Sequence, residues 1–163
     1  MPWAESFPRE WNSFIAPIPP AERGGDLCAA YARLLADPDP NVRFETAYEW
    51  GRWEDTHVSL MPGWRPSPRY DDPDFRIVFA RLVTHYWSHG CFLAGNQILD
   101  GMSRLAGIPA VMIHGRHDVS GPLETAWELS LVSAESRLVI LEDAGHGGGG
   151  FQQELIAAID SFR

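Results

Sequence analysis

The chain has 163 residues, of which 45% are hydrophobic and 21% charged, and its formal net charge is −9. This length permits one domain with a sizeable core. An acidic chain without a basic run argues against nucleic acid and anionic membrane surfaces as partners. No apolar run approaches the roughly 20 residues that span a bilayer, and the amino terminus lacks the pattern of a signal peptide. Cys28 and Cys91 form no disulfide or metal-binding pattern, so a cytoplasmic protein with free thiols is the expectation.

The first hundred residues predict helices that are separated by proline-rich breaks. Asp39 and Asp72 are suitable N-caps, since each is followed by a proline, which suits the first position of a helix. The helix after Asp72 carries apolar residues whose sequence spacings alternate between three and one, so they form a stripe along one helix face. Helices are predicted at residues 9–14, 26–36, 40–55 and from 73 onward, and a loop at 61–74. The stripe consists of Phe75, Val78, Phe79, Leu82, Val83, Tyr86 and Trp87.

The remaining residues predict a strand–helix–strand–helix unit. Apolar runs at 110–113 and 137–141 have the length and composition of buried strands. Residues 122–132 predict the crossover helix and 151–162 the last helix. The predicted fold class is therefore α/β, with helices first and then β-α-β-α. Two parallel strands alone leave open edges.

Each predicted strand is followed by a residue that can act in catalysis. Asp118 lies in the loop after the first strand, and His146 lies in the loop after the second, 28 residues later. The carboxyl ends of neighbouring parallel strands meet at one sheet edge, where ligand and catalytic groups lie. A carboxylate that orients a histidine is two-thirds of a hydrolytic triad, and the order Asp then His matches the α/β-hydrolases. The other interpretation is an N-capping Asp and a surface His.

Several stretches together resemble the prolyl aminopeptidases (proline iminopeptidases), a family with the α/β-hydrolase fold. The carboxyl-terminal stretches are GIPAVMIHGRHD (107–118), AWELS (126–130) and LEDAGH (141–146). WNSFIAPIPPAER (11–23), YEWGRWED (48–55) and FARLVTHYWSHGCF (79–92) resemble the helical cap. The resemblance implies a helical cap portion at 1–105 and the carboxyl-terminal part of the hydrolase domain at 106–163. It also implies a serine hydrolase that releases N-terminal proline from peptides, with no metal or organic cofactor, and Asp118 and His146 as catalytic residues.

The nucleophile motif of that family does not occur in these residues. No serine stands in a G-x-S-x-G sequence, and no HGGPG-like oxyanion loop is present. The resemblance therefore implies a partial α/β-hydrolase that begins within the cap. We expect the isolated chain to be inactive, because a base without its nucleophile performs no acyl transfer.

The resemblance also implies four substrate-binding positions. Glu54 matches a cap carboxylate that binds the free amino group of the substrate, and a second such carboxylate matches Val83. Gly121 stands where the family often has Cys, and Trp87 stands where Phe is common. These differences imply a more apolar pocket with one anionic anchor.

Two other sequence patterns are weaker indications of a functional site. His146 and the four glycines after it imitate the HGGG oxyanion motif of lipases, but that motif belongs upstream of the nucleophile. We interpret the glycines as a flexible loop. His85 and His89 have the i, i+4 spacing of a metal pair, yet no third ligand is evident and no metal site is predicted.

Three hypotheses remain open from the sequence. The leading hypothesis is part of a prolyl aminopeptidase-like serine hydrolase. The second is a non-catalytic module that binds a ligand or partner. The third is one half of a split hydrolase, completed by a separate amino-terminal chain.

Overall fold

The computed structural model describes residues 2–61 and 63–163, and it is a mixture of helices with one small parallel sheet. The α-helices and strands in chain order are α1 (Pro2–Ser6), α2 (Pro8–Ile15), α3 (Leu27–Leu34), α4 (Pro40–His57), α5 (Pro73–Ser88), α6 (Gln97–Gly101), β1 (Ala110–Gly115), α7 (Leu123–Val132), β2 (Ser136–Leu141) and α8 (Phe151–Asp160). Short 3-10 helices lie at Pro20–Glu22, Pro68–Asp71, Gly90–Phe92 and Met102–Leu105. The predicted helices and both predicted strands are confirmed to within a few residues at their ends.

The chain forms two compact units, of which the first comprises residues 1–56 and 66–94 and the second 57–65 and 95–163. The predicted boundary between the cap and the hydrolase domain, at residue 105/106, stays a prediction, because it refers to domains of the family that the sequence resembles. The predicted loop at 61–74 includes a 3-10 helix, and its Pro62 lies outside the described residues. A membrane-spanning helix is not found in residues 2–61 and 63–163, because each helix there is too short or too polar.

The first unit is built around an aromatic core between α2, α3 and α4. Phe14 stacks on Tyr31 with ring centroids 4.8 Å apart, and Trp50 packs edge-on against Tyr31 at 5.0 Å. The buried Tyr31 hydroxyl donates to the main-chain oxygen of Phe14 at 2.5 Å. Such ring pairs contribute about 0.5–1.5 kcal/mol each beyond the area they bury. The aromatic side chains of three helices therefore hold this unit together.

The helix starts follow the capping chemistry of the sequence. The Asp26 carboxylate accepts from the Ala29 N–H at 2.9 Å, and the Asp72 carboxylate accepts from the Asp74 N–H at 2.9 Å. The Asp39 carboxylate accepts from the N–H of residue 41 in the same way. Each cap satisfies a main-chain donor that the first helical turn leaves unpaired.

The buried face of α5 differs from its stripe of large apolar residues. Ala80 and Thr84 are fully buried, and the Thr84 hydroxyl donates to the Ala80 carbonyl at 2.7 Å. Val83 is partly buried against the core, whereas Val78 on the same helix is 58% exposed. These small residues allow α5 to pack closely against α3 within the first unit, so part of the large apolar stripe faces away from that core.

The second unit contains the parallel pair β1 and β2. Their register runs from Ala110 opposite Ser136 to Gly115 opposite Leu141. Helix α7 connects the two strands and contacts both, and α8 contacts β1. Several large apolar residues on α7 and α8 are exposed, among them Trp127, Leu131, Ile156 and Ile159.

Candidate active site

Both strands end at the same level, and their following loops are joined by main-chain hydrogen bonds. The Arg116 N–H donates to the Leu141 carbonyl at 2.9 Å, and the His117 N–H donates to the Ala144 carbonyl at 2.9 Å. Gly115 permits this approach, because a Cβ there would lie 2.6 Å from the Ala144 carbonyl oxygen. The parallel register thus brings the loop of Asp118 beside the loop of His146.

The Asp118 carboxylate is aimed by its own loop. Its Oδ1 accepts from the main-chain N–H groups of Ser120 at 3.0 Å and Gly121 at 2.9 Å. Its Oδ2 lies 2.9 Å from Nδ1 of His146. One oxygen is held by the backbone, and the other is directed at the imidazole, so the predicted Asp–His pair is present in the structure.

The ionised form of Asp118 is favoured by these contacts. Burial by itself would raise the pKa of this carboxyl group. The hydrogen bonds from Gly121, His146 and Ser120 outweigh burial and lower the pKa below its ordinary value. Asp118 is therefore a carboxylate at neutral pH, and as a charged acceptor it makes a stronger hydrogen bond than a neutral group would.

This carboxylate determines which nitrogen of His146 carries the proton. A carboxylate only accepts, so the contact assigns the Nδ1–H tautomer and leaves the Nε2 lone pair available. The side chain of His146 is 58% exposed, whereas that of Asp118 is 8% exposed. An imidazole with Nδ1–H on a buried carboxylate and an accessible Nε2 can act as a general base.

Ser120 is a third polar side chain at this pair, and the sequence analysis did not identify it. Its Oγ lies 3.0 Å from Nδ1 of His146. A triad nucleophile must instead meet Nε2. Ser120 therefore does not occupy the position of a nucleophile, although it contacts the base.

Two further contacts hold the loops, both from residues within the quoted motifs. The His114 Nε2–H donates to the Gly121 carbonyl at 2.7 Å, which ties strand β1 to the loop after Asp118. Arg116 makes a bidentate ion pair with Glu142, with both N···O distances 2.8 Å. The sequence stretches HGRHD and LEDAGH contain these residues, but their spacing does not indicate what they contact.

A segment distant in sequence packs against the His146 loop. A Cβ on Gly145 would lie 2.9 Å from the Leu60 carbonyl oxygen, and one on Gly148 would lie 2.8 Å from the Met61 sulfur. The composition of residues 61–74 indicates only a loop, so no signal in the sequence identifies this packing. Gly145 and Gly148 are therefore required for this close contact, and Gly148 also has a φ of +74°.

The predicted cap residues lie in the first unit. Glu54 accepts from the Trp50 Nε1–H at 2.9 Å, and the Trp50 ring packs edge-on against Trp87 at 6.3 Å. Trp50, which the site prediction did not include, thus contacts both Glu54 and Trp87. Val83 packs against the hydrophobic core of the same unit. Of the predicted site residues, Asp118, His146 and Gly121 come together in the second unit.

The other histidine pattern does not form a larger cluster. The rings of His85 and His89 are 4.8 Å apart, and Phe92 stacks on His89 at 5.1 Å. Across residues 2–61 and 63–163, no group of three or more His, Cys, Asp or Glu side chains is arranged to hold a metal ion.

Comparison with known proteins identifies similar sequences over almost the whole chain. A probable proline iminopeptidase of Streptomyces coelicolor is 42% identical over 161 residues, which are 96% of this chain and 49% of that protein. A proline iminopeptidase of Xylella fastidiosa is 38% identical over 96% of the chain and 50% of its own length. One from Arabidopsis thaliana is 31% identical over 98% of the chain and 43% of its own length. No family model matches the chain.

The chain spans about half the length of the curated relatives that it matches. The relatives differ widely in source, yet all three carry the name that the sequence stretches suggest. The resemblance of this chain to the proline iminopeptidases is thereby confirmed.

Proposed function

We propose that this chain supplies the carboxylate and the general base of a serine hydrolase site that releases N-terminal proline from peptides. The observation that carries the proposal is the 2.9 Å contact between Asp118 Oδ2 and His146 Nδ1, at the ends of two parallel strands. The relatives named proline iminopeptidase support the substrate class. The proposed fold of the complete site is the α/β-hydrolase fold.

In this proposal His146 transfers protons through Nε2. It takes the proton of a serine hydroxyl as that oxygen attacks the scissile carbonyl, and it then gives the proton to the leaving amine. Asp118 keeps the imidazole in the Nδ1–H tautomer and stabilises the imidazolium that forms. The 163 residues contain no G-x-S-x-G sequence, so the serine is proposed to come from another polypeptide segment.

The proposed amine site lies around Glu54 in the first unit. Its carboxylate accepts from Trp50, which fixes the side chain, and it is proposed to bind the ammonium group of N-terminal proline. Trp87 packs against the same Trp50 ring and is proposed to form an apolar wall. Position 83 carries Val, which packs against the core, so Glu54 is proposed as the anionic anchor at these positions.

The proposal is tested by completing the site. The amino-terminal half of the Streptomyces coelicolor relative, which supplies the part that this chain does not match, is fused to or mixed with the 163-residue chain. Release of naphthylamine from proline-β-naphthylamide is measured for the chain alone and for the completed protein. We expect hydrolysis only from the completed protein, because loss of a nucleophile lowers kcat by about 10⁶-fold in a comparable serine protease.

Matched histidine variants show whether the activity depends on the proposed base. His146→Gln in the completed protein should abolish hydrolysis, whereas His85→Gln, at an exposed position of α5, should leave it unchanged. Hydrolysis that survives His146→Gln contradicts the proposed base. A completed, folded protein that binds proline peptides without turnover contradicts the enzyme proposal and favours the non-catalytic binding module.

A further inference from the structure

We propose that Ser120 is a positioning residue for His146. The Ser120 hydroxyl accepts one branch of the hydrogen bond from the His146 Nδ1–H, and the Asp118 carboxylate accepts the other. The significance of Ser120 for catalysis rests on the proposed function, in which His146 is the base. The proposal itself concerns a hydrogen bond of this chain and can be tested without any turnover.

The geometry places Ser120 in contact with both members of the pair. Its main-chain N–H donates to Asp118 Oδ1 at 3.0 Å, and its Oγ lies 3.0 Å from His146 Nδ1. Asp118 Oδ2 lies 2.9 Å from the same nitrogen. Two acceptors at nearly equal distance from one donor form a three-centre hydrogen bond. One residue therefore orients the carboxylate through its backbone and the imidazole through its side chain.

The two oxygens contribute unequally. Asp118 is ionised and only accepts, whereas a hydroxyl can either accept or donate. If Nδ1 carried no proton, Ser120 could donate to it, but the carboxylate would then face a lone pair. The charged acceptor therefore fixes the tautomer, and the hydroxyl must accept. This makes Ser120 a restraint on ring orientation rather than the determinant of the protonated nitrogen.

A second contact matters because His146 is the more exposed member of the pair. A ring held by a single hydrogen bond can still rotate about its bond to Cβ within the angular tolerance of that bond. A second acceptor for the same N–H narrows this range. Rotation moves Nε2, and a displacement of about 1 Å in a catalytic group costs on the order of a hundredfold in rate.

The test uses the 163-residue chain labelled with ¹⁵N in the histidine rings. Spectra are recorded in solution or, for an oligomer, by magic-angle spinning, and His146→Gln assigns the signals. We expect the Nδ1–H tautomer in the wild-type chain. Ser120→Ala should keep that tautomer and increase the exchange of the Nδ1 proton with water by about two- to tenfold, the equivalent of one neutral hydrogen bond. Ser120→Thr, which keeps a hydroxyl, should restore slow exchange.

Ser130→Ala is the matched control, because that hydroxyl is also hydrogen-bonded, to the Trp127 carbonyl at 2.6 Å, but is not bonded to His146. Its Nδ1–H exchange should equal that of the wild-type chain. Unchanged exchange in Ser120→Ala, equal acceleration in Ser130→Ala, or a wild-type Nε2–H tautomer would each overturn the proposal. If the completed protein fails to hydrolyse its substrate while Ser120→Ala still accelerates exchange, only the proposed function is wrong.

Discussion

Replacement of Asp118 by Asn and by Ala separates the structural role of this side chain from its chemical role. Asn keeps an oxygen that can accept from the main-chain N–H groups of Ser120 and Gly121, which now bond to Asp118 Oδ1 at 3.0 and 2.9 Å. It loses only the charge-assisted bond to His146. Ala loses all three hydrogen bonds and leaves both main-chain donors without their acceptor.

The expected magnitudes follow from these contacts. Because His146 is largely exposed, the lost charge-assisted hydrogen bond should cost about 0.5–1.5 kcal/mol, below the about 1.5–3 kcal/mol of hydrogen bonds to charged groups. Each orphaned main-chain donor costs about 1–3 kcal/mol. We therefore expect Asp118→Asn to lower the free energy of unfolding by about 1 kcal/mol and Asp118→Ala by about 2.5–7.5 kcal/mol. Urea denaturation of the three chains at neutral pH measures both values.

The pH dependence provides an independent check with a defined sign. The folded-state pKa of Asp118 is lowered, so its ionised form stabilises the fold above the unfolded pKa of about 3.9. This contribution is lost as the pH falls through the folded-state pKa. The stability difference between the wild-type chain and Asp118→Asn should be constant near neutral pH and should shrink below about pH 4.

In the completed protein, Asp118→Asn should have a large effect on activity although its effect on stability is small. Asn would present an N–H group to His146 Nδ1 and would therefore favour the Nε2–H tautomer, which cannot accept a proton at Nε2. The analogous change in a serine protease lowers kcat by about 10⁴-fold. Equal destabilisation by Asn and Ala would refute the argument that the backbone contacts to Oδ1 dominate. Nearly full activity in Asp118→Asn would refute the assigned tautomer.

Three further predictions concern the packing of the two units. Tyr31→Phe should lower the free energy of unfolding by about 1–3 kcal/mol, because a buried hydrogen bond at 2.5 Å is lost, whereas Tyr48→Phe, at an exposed ring, should change thermal stability by less than about 0.5 kcal/mol. Val83→Glu should lower the melting temperature, because it places a carboxylate against the core. Val78→Glu, on the exposed side of the same helix, should leave the melting temperature unchanged. Equal melting temperatures of the two variants would mean that position 83 faces solvent or a pocket. The isolated chain should associate at micromolar concentration through the exposed apolar residues of α7 and α8. Leu131→Glu should reduce the molecular mass that light scattering measures, and a monomeric wild-type chain would contradict this prediction.

Local rules were sufficient for the helix and strand positions. Asp39 and Asp72 were recognisable as caps because a side-chain carboxylate satisfies donors only two or three residues away. The strands were recognisable from short apolar runs, and their parallel pairing followed from the helix that connects them. The Asp–His pair could be predicted for the same reason, since two adjacent parallel strands must end at one edge.

The tertiary structure decided the contacts that depend on packing at a distance. Met61 begins the stretch predicted as a loop, and only the folded second unit shows that Leu60 and Met61 lie against Gly145 and Gly148. The stripe on α5 indicates which residues share a helix side but not which side is buried, and the small side chains of Ala80 and Thr84 are the fully buried ones.

The sequence by itself therefore determined the type and order of the elements and the meeting of Asp118 with His146, because these depend on short-range hydrogen bonding, periodicity and chain connectivity. Only the tertiary structure decided that Ser120 shares the imidazole nitrogen with Asp118, because this depends on the path of the loop after β1 to within a few tenths of an ångström. A hydroxyl two residues after an aspartate has many possible partners, and the folded chain selects one of them.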